Sequence, residues 1–162
     1  AALYRNPEGV HQSEFALMPI IKKVVKLYKP IAQKKDISIT HLNPDPSLKA
    51  FGNPAMIETV IRNLVDNAIK FTEKGGQVEL ETDKGDLVKI LIKDNGRGLS
   101  DYQLENLFSN FEDKDQNFDN KGNGLGLMLC YDFVKNNKGK IYAESNNNAE
   151  GSTFSFTIPY VK

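Results

Sequence analysis

The sequence predicts an α+β fold: a two-layer sandwich in which a mixed sheet of about five strands carries three main helices on one face, with a mobile lid beside it. Apolar residues recur at helical spacing in three stretches, near 20–31, 54–72 and 125–135. Strand-like segments come in pairs broken by turn residues, 77–82 with 87–94 and 140–144 with 153–158. The stretch 110–123 is polar, acidic and closed by glycine, with Phe111 and Phe118 as its large apolar anchors, and reads as the lid.

Residues 1–13 show no apolar period and contain Pro7 and Gly9, which suits a linker remnant. Ile20, Val24, Leu27, Tyr28 and Ile31 then form the apolar face of a helix that Pro30 should kink or loosen. Lys22, Lys23, Lys26 and Lys29 between them are either a solvated face or a basic patch for an acidic partner. A short strand at 37–42 ends at Asn43-Pro44-Asp45-Pro46, and a brief one at 49–51 leads to Asn53-Pro54, an N-cap followed by proline at the first helical position. The long helix that follows should run to Thr72. A hairpin turns at Lys84-Gly85-Asp86, and Ser100 with Gln103 has capping-box spacing for a short helix.

The 162 residues are 40% hydrophobic and 26% charged, the profile of one ordinary soluble domain. Lys+Arg 21 balances Asp+Glu 21, so the basic footprint of a nucleic-acid binder is missing. Cys130 is the only cysteine and no apolar run reaches the roughly 20 residues of a membrane span, so a cytoplasmic setting is expected. The start at Ala1-Ala2 without Met reads as an excision from a longer protein.

Three segments carry chemistry. At 100° per residue Asn63, Asn67 and Lys70 fall within an arc of roughly 60° on the long helix, between the core face of Ile57, Ile61, Leu64 and Ala68 and the solvated face of Glu58, Arg62, Asp66 and Glu73. The stripe is either a polar shoulder or a place where carboxamide oxygens and an ammonium hold a hard cation and the phosphates it bridges. In Asp94-Asn95-Gly96-Arg97-Gly98-Leu99, strand alternation puts Asp94 in phase with Val88, Ile90 and Ile92, so its carboxylate faces the apolar side and needs a donor. Gly96 and Gly98 permit close backbone approach. In Gly122-Asn123-Gly124-Leu125-Gly126-Leu127, glycines open a helix whose free N–H groups suit an anion, although neither the Rossmann fingerprint nor a Walker loop is present.

Together and in order these segments resemble the GHKL ATP-binding superfamily of gyrase-type topoisomerases, heat-shock chaperones, histidine kinases and mismatch-repair proteins, and most closely the catalytic ATP-binding domain of sensor histidine kinases. Asn63 to Thr72 is similar to the N box, Asp94 to Gly98 to the G1 box, Leu107-Phe108-Ser109-Asn110-Phe111 to the F box and Gly122 to Leu127 to the G2 box. The resemblance implies that Asn67 ligates Mg²⁺ and that Asn63 and Lys70 hold phosphates. It further implies that Phe71 packs beside the adenine, that Asp94 accepts from the exocyclic amine, and that the backbone of Gly122, Gly124, Leu125, Gly126 and Leu127 cradles the phosphate chain. Gly96, Gly98, Leu99 and Phe108 complete the expected ATP site. Asn123 stands where the family often has Thr or Ser.

Hydrolytic members carry Glu where this chain has Asn63, and an amide cannot take a proton from water. Transfer to a histidine is therefore expected, with a degenerate nucleotide-binding module or a GHKL ATPase as alternatives. The family's acceptor histidine lies in a His-Glu-x-Arg-Thr-Pro-like motif on a helical dimerisation domain, and neither His11 nor His41 has that context. The expectation is thus a linker remnant at 1–13 and a catalytic ATP-binding domain at 14–162, monomeric as this fragment and homodimeric in the full protein. Its partners would be the helical phosphoacceptor domain and a response regulator receiver domain.

Overall fold

The computed structural model describes residues 11–108, 124–146 and 150–160. The segment read as a lid, Gly122, and most of residues 1–13 lie outside the described residues. The elements run β1 (Ser13–Ala16), α1 (Met18–Lys34), β2 (Ser38–His41), β3 (Lys49–Gly52), α2 (Pro54–Phe71), β4 (Gln77–Lys84), β5 (Val88–Asp94), α3 (Asp101–Asn106), α4 (Gly124–Asn136), β6 (Ile141–Ser145) and β7 (Ser152–Ile158). Five strands form one sheet in the order β2-β4-β5-β7-β6, parallel at β2–β4 and antiparallel elsewhere, so the sheet is mixed. No helix among the described residues is long and apolar enough to cross a membrane.

Register explains the layering. Leu80 pairs with Ile92, Ile92 with Phe154, and Phe154 with Ala143, while Ile90 pairs with Phe156. These rows turn to one face, where α2 packs on β4 and β5, α4 on β6 and β7, and α1 beside β2 and α2. Ile57, Ile61, Leu64, Phe133, Ile92 and Phe156 are at most 1% exposed and form the middle of the core. Cys130 is buried with them, and burial pushes its thiol pKa up to about 12.

Two local features, strand β1 and the exposed side of α1, differ from the sequence expectation. Strand β1 begins at Ser13, at the end of the stretch read as linker, and pairs antiparallel with β3 in a separate two-stranded sheet. Its four residues are too few to show a period, and its partner lies far along the chain. Helix α1 continues through Pro30 to Lys34, the missing N–H being one bond among many while Tyr28 and Ala32 hold the last turns against the core. Its buried residues are Ile21, Val24, Tyr28 and Ala32, whereas Leu27 and Ile31 are 48% and 47% exposed. The helix lies against β2 and α2 with its contact arc centred near Tyr28, and Leu27 sits about 100° away from that centre. Of its lysines, Lys23 pairs with Glu58 at 3.0 Å.

The start of α2 follows expectation. Asn53 caps it by accepting from the Met56 N–H at 3.0 Å, with Pro54 in the first turn. Asn137, just past α4, is 1% exposed and ties this end of α2 to the end of α4: its Oδ1 accepts from Asn53 N–H at 2.7 Å and its Nδ2 donates to Phe133 O at 2.7 Å. The two helices run antiparallel, and the first turn of α4 meets α2 further along, at Asn63.

Candidate nucleotide-binding site

Asn63 sits mid-way along α2, half-buried. Its Nδ2 donates to Thr59 O at 2.8 Å, and its Oδ1 lies 3.1 Å from where a Cβ on Gly126 would stand. A side chain at Gly126 would press on that oxygen, so glycine lets the first turn of α4 close on α2. Leu127 on the next position is 5% exposed and anchors the turn in the core. Gly124 and Leu125 open α4.

One turn beyond Asn63, Asn67 is 4% exposed and its Nδ2 has no hydrogen-bond partner among the described residues. A buried amide donor left unpaired costs about 1–3 kcal/mol, which core packing alone gives no reason to tolerate. Lys70 is mostly exposed and its ammonium pairs with Asp66 at 2.9 Å on the outer side of α2, so the structure does not bring it to the two asparagines. The α-helical rise puts Phe71 about 12 Å along α2 from Asn63. Its half-buried ring lies under the Arg97 guanidinium, 5.3 Å from carbon to centroid.

Asp94 ends β5 on the buried face and is 4% exposed. The β5–β7 register, which pairs Lys93 with Thr153, next brings Ser152 opposite Asp94. Ser152 Oγ donates to Asp94 Oδ2 at 2.9 Å, and Oδ1 accepts from the N–H of Gly96 at 2.9 Å and of Ser152 at 3.3 Å. Three donors leave a carboxylate with acceptor capacity unused. None of the ion pairs among the described residues involves it.

The loop after β5 packs tightly on the end of α2. A Cβ at Gly96 would collide with the carbonyl of Phe71, so this contact requires glycine. Asn95 fastens the same loop to β4, its Oδ1 accepting from Gln77 N–H at 2.7 Å. Gly98, at φ +73°, crosses the Gly151 backbone. Half-buried Leu99 packs against the core, and its carbonyl accepts from Ser145 Oγ at 2.7 Å. Phe108 stacks on Tyr131 of α4 at 6.3 Å between centroids. A cavity of about 420 Å³ adjoins the loop, lined among others by Glu73, Lys74, Asn95, Gly96, Arg97 and Glu150.

The structure thus joins Asn63 with Gly126, and Asp94 with Gly96, and seats Phe71 at the seam between α2 and the loop. Sequence reasoning missed Ser152 and Asn146, whose Nδ2 donates to Asp94 O at 3.0 Å. The signal for Ser152 was its place in a strand whose register with β5 the sequence does not specify.

Comparison with known proteins finds a matching family, similar sequences and similar folds. The model of the family described as histidine kinase-, DNA gyrase B-, and HSP90-like ATPase matches residues 52–162. The adaptive-response sensory kinase SasA of Synechocystis is 32% identical over 155 residues, covering 93% of this chain and 39% of that protein. The sensor protein EvgS of Escherichia coli O157:H7 is 32% identical over 148 residues, covering 86% of this chain and 12% of its own length. This chain therefore spans well under half of these relatives. Among solved structures, the catalytic domain of histidine kinase ThkA superposes with a TM-score of 0.76 at 27% identity, covering 92% of this chain and 95% of that domain. ThkA in complex with the response regulator protein TrrA superposes at 0.77 with 25% identity, covering 94% of this chain and 42% of that one.

Proposed function

The chain belongs to the family of histidine kinase-, DNA gyrase B- and HSP90-like ATPases and carries the fold of histidine kinase catalytic domains, and from that premise we propose that it is the Mg-ATP-binding kinase domain of a two-component sensor. It passes the γ-phosphoryl group of ATP to a histidine on a separate helical dimerisation domain. An aspartate on a response regulator receiver domain is the later recipient, a role supported by the ThkA complex. In this reading residues 14–162 are the catalytic unit, 1–13 link it to the helical domain, and the setting is the cytoplasm, where ATP is available.

The observation that carries the proposal is Asn67, a buried amide whose nitrogen has no partner among the described residues, one helical turn from an amide that faces the first turn of α4. A carboxamide offers a hard oxygen to Mg²⁺ and an N–H to a phosphate oxygen. Among the described residues no three acidic, His or Cys side chains converge, so the ion would be held by Asn67 together with phosphate and water oxygens. Bound Mg²⁺ supplies charge neutralisation for the phosphates.

Lys70 reaches the phosphates by leaving Asp66. An exposed ion pair is worth about 0–1 kcal/mol, so the exchange costs little. The N–H groups that open α4, at Gly124, Leu125, Gly126 and Leu127, together with Gly122 before it, receive the phosphate chain. Asp94 accepts from the adenine amine, Phe71 packs on the base, and Gly96, Gly98, Leu99 and Phe108 shape the rest of the pocket.

Hydrolysis is disfavoured at the same place. Asn63 holds the position for a base, and an amide cannot accept a proton, while a neutral imidazole attacks without one. Titration calorimetry with ATP tests the proposal: binding is expected with Mg²⁺ and should weaken at least tenfold with EDTA or in Asn67→Ala. No heat of binding in any condition would remove the nucleotide assignment.

A further inference from the structure

Arg97 is an exposed residue in a loop whose flanking positions are both glycines, and its backbone is fixed on each side. Gly96 is buried against the carbonyl of Phe71, and Gly98 is set against Gly151. The side chain is free to choose its partner. The adjoining cavity offers it two carboxylates, Glu73 and Glu150. Arg97 nevertheless forms no ion pair among the described residues and lies over the Phe71 ring at 5.3 Å. A guanidinium over an aromatic face is a cation–π contact, and it restricts how the ring can turn.

The ring belongs to the last residue of α2, whose backbone carbonyl packs on Gly96, and the Gly96 N–H donates to Asp94 Oδ1, so one short loop links the residue under Arg97 to the Asp94 carboxylate. From this geometry we infer that Arg97 is a positioning residue for the purine base. It holds the Phe71 ring in one orientation, the one against which a flat base packs when its amine reaches Asp94. The inference rests on the nucleotide reading above and adds to it a residue that acts through Phe71 rather than through the phosphates.

This separates from an ordinary electrostatic role by which part of the nucleotide feels the loss. Competition against a fluorescent ADP analogue measures adenosine, ADP and ATP affinities for the unsubstituted chain, Arg97→Gln and Arg97→Lys. An exposed cation–π contact predicts that Arg97→Gln weakens all three by the same factor, about two- to fivefold, and that lysine, which keeps the cation, restores most of it. In the Phe71→Leu background, Arg97→Gln should add nothing further. Unchanged thermal midpoints for the Arg97 variants confirm that the fold is intact.

A loss that is absent for adenosine and grows through ADP to ATP would assign Arg97 to the phosphates and overturn the inference. So would Arg97→Gln affinities equal to those of the unsubstituted chain, or a full additive loss on top of Phe71→Leu. If the unsubstituted chain binds none of the three compounds, the nucleotide reading itself is wrong and the inference falls with it.

Discussion

Asp94 is a buried carboxylate held, among the described residues, by neutral donors: the Gly96 and Ser152 N–H groups and the Ser152 hydroxyl. That arrangement differs from a buried ion pair, because acceptor capacity remains for an incoming N–H. An exocyclic amine satisfies it; the keto oxygen of guanine, an acceptor, meets it with repulsion. Asp94→Asn keeps one oxygen for the two N–H donors but turns an NH₂ group toward the place of the adenine amine, donor against donor. ATP affinity should fall by more than tenfold, the cost of about 1.5–3 kcal/mol for a hydrogen bond to a charged group. Ser152→Ala removes one of three supports and should cost about fivefold, near 1 kcal/mol. Calorimetric titration of both variants with ATP, and of the unsubstituted chain with GTP, checks the ordering. Equal ATP and GTP affinities in the unsubstituted chain would deny Asp94 its role in choosing the base.

The elements that build the site are held from its far end. Asn53 and Asn137 lock the start of α2 to the end of α4, so the first turn of α4 faces the middle of α2, Gly126 against Asn63, at a fixed spacing. Asn53→Ala removes an N-cap, worth about 1 kcal/mol. Asn137→Ala leaves the Asn53 N–H and the Phe133 carbonyl without this partner in a buried place and should cost about 2 kcal/mol or more. Urea unfolding measures both; a smaller loss for Asn137→Ala than for Asn53→Ala would contradict the tie between the helices. The cap was legible because Asn-Pro before an apolar period has one local meaning, and the three large helices and the main strands were legible from period, whereas the mixed order of the sheet came with the family resemblance. Strand β1 was not, since pairing with β3 gives it order that four residues cannot advertise. The exposure of Leu27 and Ile31 was not legible either, since the sequence shows that α1 has an apolar side but not where on that side its neighbours press. At the site, Asn63, Asn67 and Asp94 were visible as polar residues in places that helix or strand phase made costly. Ser152 and the Arg97–Phe71 contact depend on register and loop packing, which no local pattern encodes.

Across the whole molecule, the proposed site supplies a cradle for a phosphoryl group without supplying its acceptor. Asn63 is committed through Nδ2 to Thr59 and presents an oxygen to the first turn of α4, a geometry for positioning and not for taking a proton. The two histidines of the chain do not substitute for an acceptor. His41 ends β2, with Nε2 buried and without a partner among the described residues and burial lowering its pKa, and His11 contributes its carbonyl to the Asn53 side chain at the far end of α2. Bound ATP is therefore expected to turn over very slowly, and the chain should not label itself when given ATP carrying a labelled γ-phosphate. Added to a helical dimerisation domain bearing its acceptor histidine, the chain should transfer label to that domain, and Asn67→Ala should abolish the transfer. Introducing a carboxylate by Asn63→Glu tests the division between the two chemistries. It offers water a base and places negative charge near the phosphates, so transfer to histidine should drop while phosphate release rises slightly or stays flat. Rapid steady-state phosphate release by the unsubstituted chain, lost in Asn67→Ala so that a contaminant is ruled out, would make water the acceptor and reassign the domain to the hydrolytic branch of its family.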